Sequence, residues 1–151
     1  MKLTKHIITA ALIVAASIPV MGKTDKDATQ QTYMFGFAAS FNDTIVHFTD
    51  IQTIDSVWID RKTNFLLGRN HYANQLRSYL TQQQMPHRTC IVFYDKKLNR
   101  LQNKFLKMKK LYADESKKNK SHNIIKDISA HNFKFTAVNM NIQEEQENSE
   151  K

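Results

Sequence analysis

Aromatic residues fall at alternate positions, Tyr33, Phe35 and Phe37, within the run Tyr33-Met34-Phe35-Gly36-Phe37-Ala38-Ala39-Ser40-Phe41. A second β-favouring run, Thr44-Ile45-Val46-His47-Phe48-Thr49, follows across Asn42-Asp43. Asn and Asp tolerate the left-handed conformations of tight turns, so the pair reads as a hairpin. A two-residue loop sets Phe41 opposite Thr44, Ala39 opposite Val46 and Phe37 opposite Phe48. Tyr33, Phe35, Phe37 and Ala39 then share one sheet face with Val46 and Phe48. Farther on, Asp55-Ser56 and Asp60 are candidate N-caps for a helix from about Lys62 to Gln83, its buried stripe being Phe65, Tyr72, Leu76, Tyr79 and Leu80. Thr89-Cys90-Ile91-Val92-Phe93-Tyr94 has no alternation, which predicts a central strand covered on both faces. Asp95 caps a second helix, Leu98 to about Ala113, with Leu98, Leu101, Phe105, Met108 and Tyr112 in one arc. A basic linker covers 114–123, and the alternating Phe133-Lys134-Phe135-Thr136-Ala137 reads as the last strand.

These elements give an α+β fold in the order β-β-α-β-α-β. The arrangement expected is a two-layer sandwich, with about four strands and both helices on one face of the sheet. Its β-α-β steps should be right-handed crossovers. The domain spans 32–140, and residues 141–151 read as a disordered acidic tail.

The N-terminus changes the picture. Lys2 and Lys5 precede an uncharged run from Ile7 to Val20, then Pro19 and Val20-Met21-Gly22 offer a break and small residues for cleavage. That order is a signal peptide over 1–22, and the run falls short of the ~20 apolar residues of a spanning helix. Cleavage leaves 129 of the 151 residues, enough for one domain. The expected product is periplasmic or secreted, with no transmembrane segment. The single cysteine, Cys90, cannot form an internal disulfide.

Charge is concentrated in one stretch. From Lys96 to Lys126 there are eleven lysines and arginines against Asp114 and Glu115, while the whole chain carries +8. Lys96 and Lys97 stand in the first turn of a helix, where the macrodipole disfavours cations. Like charges one turn apart repel. Helix stability alone does not ask for this pattern, although a solvated face does account for many such runs. Lys97, Arg100, Lys104 and Lys107 are the candidate ligand-binding residues of an anionic-partner face. The partners that export makes accessible are anionic lipid, glycan or an acidic protein surface. Nucleic acid is disfavoured, because no aromatics interleave for base readout. Glu144, Glu145, Glu147 and Glu150 offer an internal alternative by folding back onto the lysines.

Candidate chemistry adds little. Cys90 with His87, His47 or His71 is the one thiol–imidazole combination, and a lone cysteine among Ile, Val and Phe is more often a buried hydrophobe. The six histidines show no metal-ligand spacing, and no glycine-rich phosphate loop or nucleophile elbow exists. No catalytic residue, metal ligand or cofactor is assigned. The stretch from Tyr33 to Asp50, with Arg88-Thr89-Cys90, resembles small exported proteins of uncharacterised function from Bacteroides-type Gram-negative bacteria. That resemblance implies export, and a protein O-glycosylation pattern that Asp43-Thr44-Ile45 and Asp55-Ser56-Val57 fit at Thr44 and Ser56. Turn and capping chemistry explains the same residues. The reading is an exported non-enzymatic binding protein that uses its basic helix. The alternative is a small enzyme with Cys90 or a histidine in a helix/sheet cleft, and a third reading is an assembly subunit pairing through a sheet edge. Oligomeric state is left open.

Overall fold

The computed structural model describes residues 28–118 and 123–140. The predicted signal peptide and acidic tail lie outside these residues. Seven elements follow in the order β1 (Ala28–Ala39), β2 (Ile45–Thr49), β3 (Gln52–Ile59), α1 (Arg69–Gln82), β4 (Thr89–Asp95), α2 (Leu98–Lys118) and β5 (Ile124–Ile128). Among the described residues the fold is mixed α+β, with two helices and one five-stranded sheet.

The sheet grows from a long hairpin. β1 is continuously buried from Met34 to Ala38, because apolar side chains on both its faces find a helix to cover them. Its return strand is β2 followed by β3, in the predicted register of Phe37 opposite Phe48. The pairing then slips, since Met34 lies opposite Gln52 and Asp50-Ile51 forms a bulge. A second slip between Gln30 and Thr32 matches Ser56, whose φ is 59°. Such bulges bend a strand and increase its twist. β4 pairs antiparallel with the other edge of β1, and β5 pairs in parallel with β2.

Four segments differ from expectation. Asp55-Ser56, expected as a helix cap, lies inside the strand β3; Asp60 does accept from the Lys62 and Thr63 amides, but it closes a turn. α1 begins only after Gly68, at φ 66°, and Phe65 lies outside it, 48 % exposed. β4 is an edge strand, not a central one. Phe133–Ala137 lies in no strand, although Phe133 and Phe135 are buried and Lys134 and Thr136 exposed as predicted. Its backbone pairs with glutamine side chains instead. Gln52 donates to the Phe133 carbonyl and accepts from the Phe135 amide, both at 2.9 Å. Gln75 does the same at Thr136.

The helices divide the two faces, where both had been expected on one. Tyr72, Leu76 and Leu80 of α1 pack with Met34, Ala38, Val57, Val92, Phe133 and Phe135. Leu101, Phe105, Met108 and Tyr112 of α2 pack with Phe35, Phe37, Val46 and Phe48. The reason lies in strand order. α1 carries the chain from β3 across β1 to β4, and α2 carries it back from β4 to β5. Crossovers that share the right-handed preference but run in opposite directions must cover opposite faces. Gly36 permits the close approach of α1, since a Cβ there would lie 2.6 Å from Leu76 Cδ2. No helix among the described residues is long and apolar enough to cross a membrane.

Candidate functional site

Among the described residues no strand pairs with the outer edge of β4. The Gly36 amide donates to Thr49 Oγ1, on the far side from β4, and Val92, opposite Gly36, turns its own polar groups outward. Arg69 confirms that direction by donating through Nη2 to the Val92 carbonyl at 3.1 Å. By strand alternation, Cys90 and Tyr94 also present their backbone groups to this edge.

Along that edge runs a cleft of about 450 Å³, lined in part by Arg69, Asp95, Lys96, Arg100 and Lys104. Each cation is held in place. Arg69 is fixed by Val92, and Lys96 donates to Asn64 Oδ1 at 2.9 Å. Lys104 Nζ stands 5.2 Å from the Phe93 ring centre, a cation–π contact. Arg100 donates twice to Asp95 Oδ1, at 3.1 and 2.9 Å. Asp95 also accepts from the Lys97 amide, as a cap for α2. Burial raises the Asp95 pKa, but the Lys97 amide, Arg100 and Lys104 more than offset it and leave it lowered. Four cations therefore face one carboxylate, and three of the four are positioned by neutral groups. A second groove continues along α2 over Arg100, Asn103, Lys104, Lys107, Met108 and Leu111.

Of the four predicted ligand residues, Arg100 and Lys104 line both grooves and Lys107 lines the second, while Lys97 is exposed and lines neither. Sequence reasoning did not place Arg69 or Lys96 in the site. Lys96 belonged to the visible basic run. Arg69 lies on another element, and only β4's place at the sheet edge brings it in. Lys109 has a different role: it pairs with Asp127 and covers the Phe105 and Phe48 rings, 4.8 and 5.8 Å from their centres.

A third cleft, on the α1 side of β4, is lined in part by His71, Cys90 and Met140, which places a thiol and an imidazole along one wall. The thiol is buried, however, and donates to the Arg88 carbonyl at 3.7 Å. Burial pushes its pKa up, against a smaller lowering by Arg77 and Arg88. A buried neutral thiol is a poor nucleophile. Cys90, Ala38 and His47 lie side by side on three strands; two strand spacings, on the order of 10 Å, separate Cys90 from His47. No group of three or more His, Cys, Asp or Glu able to hold a metal occurs among the described residues.

A second polar cluster closes the hairpin end. Arg88, 6 % exposed, donates to the Ile45 carbonyl at 2.8 Å and pairs with Asp43 at 2.6 Å. Among the described residues, neither ring nitrogen of His47, 2 % exposed, has a hydrogen-bond partner, nor does Arg88 Nε. Burial, then Arg88 and Lys126, lower the His47 pKa to about 4, with Asp43 opposing. Thr44 and Ser56, the candidate glycosylation residues, are both exposed. Asp43 accepts from the Ile45 amide, the turn chemistry expected of it.

No protein-family model matches the chain, and no curated protein or solved structure does either.

Proposed function

We propose that this chain is an exported, non-enzymatic binding protein of the cell envelope or exterior, and that it engages an anionic surface or partner along the β4 edge and the adjoining flank of α2. One observation carries the reading: among the described residues, Arg69, Lys96, Arg100 and Lys104 line one cleft with a single carboxylate, Asp95. Basic side chains that merely solvate a helix extend independently into water. Here two elements converge, and hydrogen bonds or an aromatic face fix each charge before any ligand arrives, which lowers the ordering cost of binding. The second groove adds apolar surface from Met108 and Leu111, the latter 55 % exposed. A basic rim over an apolar floor suits a ligand with anionic groups beside hydrocarbon.

The enzyme reading rests on the Cys90/His71 wall, where the thiol is buried and its pKa raised. The binding reading is therefore the stronger. It is tested by titrating the mature protein with phosphatidylglycerol vesicles and with phosphatidylcholine vesicles at rising salt. Binding confined to the anionic vesicles and lost as salt rises supports it. Equal binding to both vesicle types, or none to either together with none to acidic polysaccharide, refutes it.

A further inference from the structure

We propose that the acidic segment Asn141–Lys151 docks on the basic cleft of its own chain. The inference rests on the anion-binding reading of that cleft. Its starting point is where the preceding segment leads. Gln75 holds Thr136 through two hydrogen bonds, and the Tyr72 hydroxyl accepts from the Val138 amide at 3.1 Å. These anchors deliver Met140 to the wall shared with Arg69, Ile91 and Val92. Its Sδ lies 2.7 Å from the position a Gly68 Cβ would take. Arg69 also lines the neighbouring basic cleft, so the chain leaves the described structure beside the first of the four cations.

Reach and charge then agree. The next residues carry Glu144, Glu145, Glu147 and Glu150 against Lys151. An extended chain covers ~3.3 Å per residue, which puts Glu144 within ~13 Å of Met140. The same four-residue step separates Val92, in β4, from Lys96, one residue past the end of that strand. Carboxylates of the segment can therefore meet Arg69, Lys96 and Lys104, the groups left in excess once Arg100 is paired with Asp95. The outer edge of β4 offers further donors at Cys90 and Tyr94.

The test compares the full mature chain with its E144Q/E145Q/E147Q/E150Q variant, free of ligand, by acetylation footprinting read in a mass spectrometer. Lys96 and Lys104 should react several-fold more slowly in the parent than in the variant, and ~1 M salt should abolish the difference, the screening length there being about 3 Å. Exposed Lys62, on the Asp60 turn, serves as the reference and should react alike in both. Equal rates at Lys96 and Lys104 overturn the proposal, as does an equal change at Lys62, which would mark a general charge effect. Protection that grows with protein concentration also overturns it, because the segment would then be binding a second copy. The variant should bind phosphatidylglycerol vesicles about five-fold more tightly, the gain expected on removing a weak tethered competitor. If the footprint behaves as expected and neither protein binds an anionic probe, self-docking stands and the proposed function fails.

Discussion

Acidification should weaken this fold through His47 before it affects the carboxylates. The imidazole is 2 % exposed, on the α1 face of β2, and neither nitrogen has a hydrogen-bond partner among the described residues. Burial is the main cause that holds its pKa at about 4 instead of 6.5, with Arg88 and Lys126 adding repulsion. The unfolded chain therefore takes up a proton near pH 6.5 that the folded chain refuses until about pH 4. Stability from this group is fully present above pH 6.5 and is lost as pH falls toward 4. The interval corresponds to about 3 kcal/mol, each pH unit being worth 1.36 kcal/mol. Asp43 and Asp95 also have lowered pKa values, so their contributions are lost at still lower pH, in parent and variant alike. The assay is urea unfolding at a series of pH values for the parent and for His47→Leu, which removes the titration at similar volume. The parent should lose about 3 kcal/mol relative to the variant between pH 7 and pH 4. Parallel stability curves across that range would refute the reasoning.

Other consequences follow from packing. Phe48→Ala removes a fully buried ring, 5.2 Å from the Phe37 ring and 5.7 Å from Phe105, and should cost about 3–5 kcal/mol; an unchanged urea midpoint would contradict the hairpin core. Gln52→Leu leaves the Phe133 carbonyl and Phe135 amide without their partner. It should cost about 2–4 kcal/mol, with faster hydrogen exchange at Phe135 as the local readout. Cys90 should resist thiol reagents in the native protein, and rapid labelling would revive the enzyme reading.

The hairpin was legible because two independent signals agree there. Asn42-Asp43 offers turn chemistry, and pairing Phe37 with Phe48 puts every large apolar residue of that face together. β3 was hidden by its own bulge: Ile54 and Val57 are both buried yet three residues apart, so the period of two breaks at Ser56, and Asp55-Ser56 imitates a helix cap. β5 carries Lys126 and Asp127, which break up its apolar run, so the pattern after the 114–123 linker predicts no strand there. Phe133–Ala137 misled in the opposite way. Alternating burial reports side-chain direction, and it cannot show that the backbone's partners are glutamine amides. Thr89–Tyr94 lacks alternation, which predicts a central strand, but Met34–Ala38 has the same property with more cause. The cleft was half legible. Arg100 and Lys104 stood in the basic run, whereas Arg69 joins them only through the crossover of α1 to the sheet edge.

The central claim is that four cations on converging elements, and not basicity in general, make the binding site. The most direct measurement is vesicle binding at low salt by two charge-matched variants. One carries R69Q/K96Q/R100Q/K104Q in the cleft, and the other K62Q/K110Q/K126Q/K134Q at exposed lysines elsewhere. The account predicts that the cleft variant loses affinity by orders of magnitude, each cation near an anionic surface being worth on the order of 1 kcal/mol, while the control stays within a few-fold of the parent. Equal losses in the two variants would contradict it.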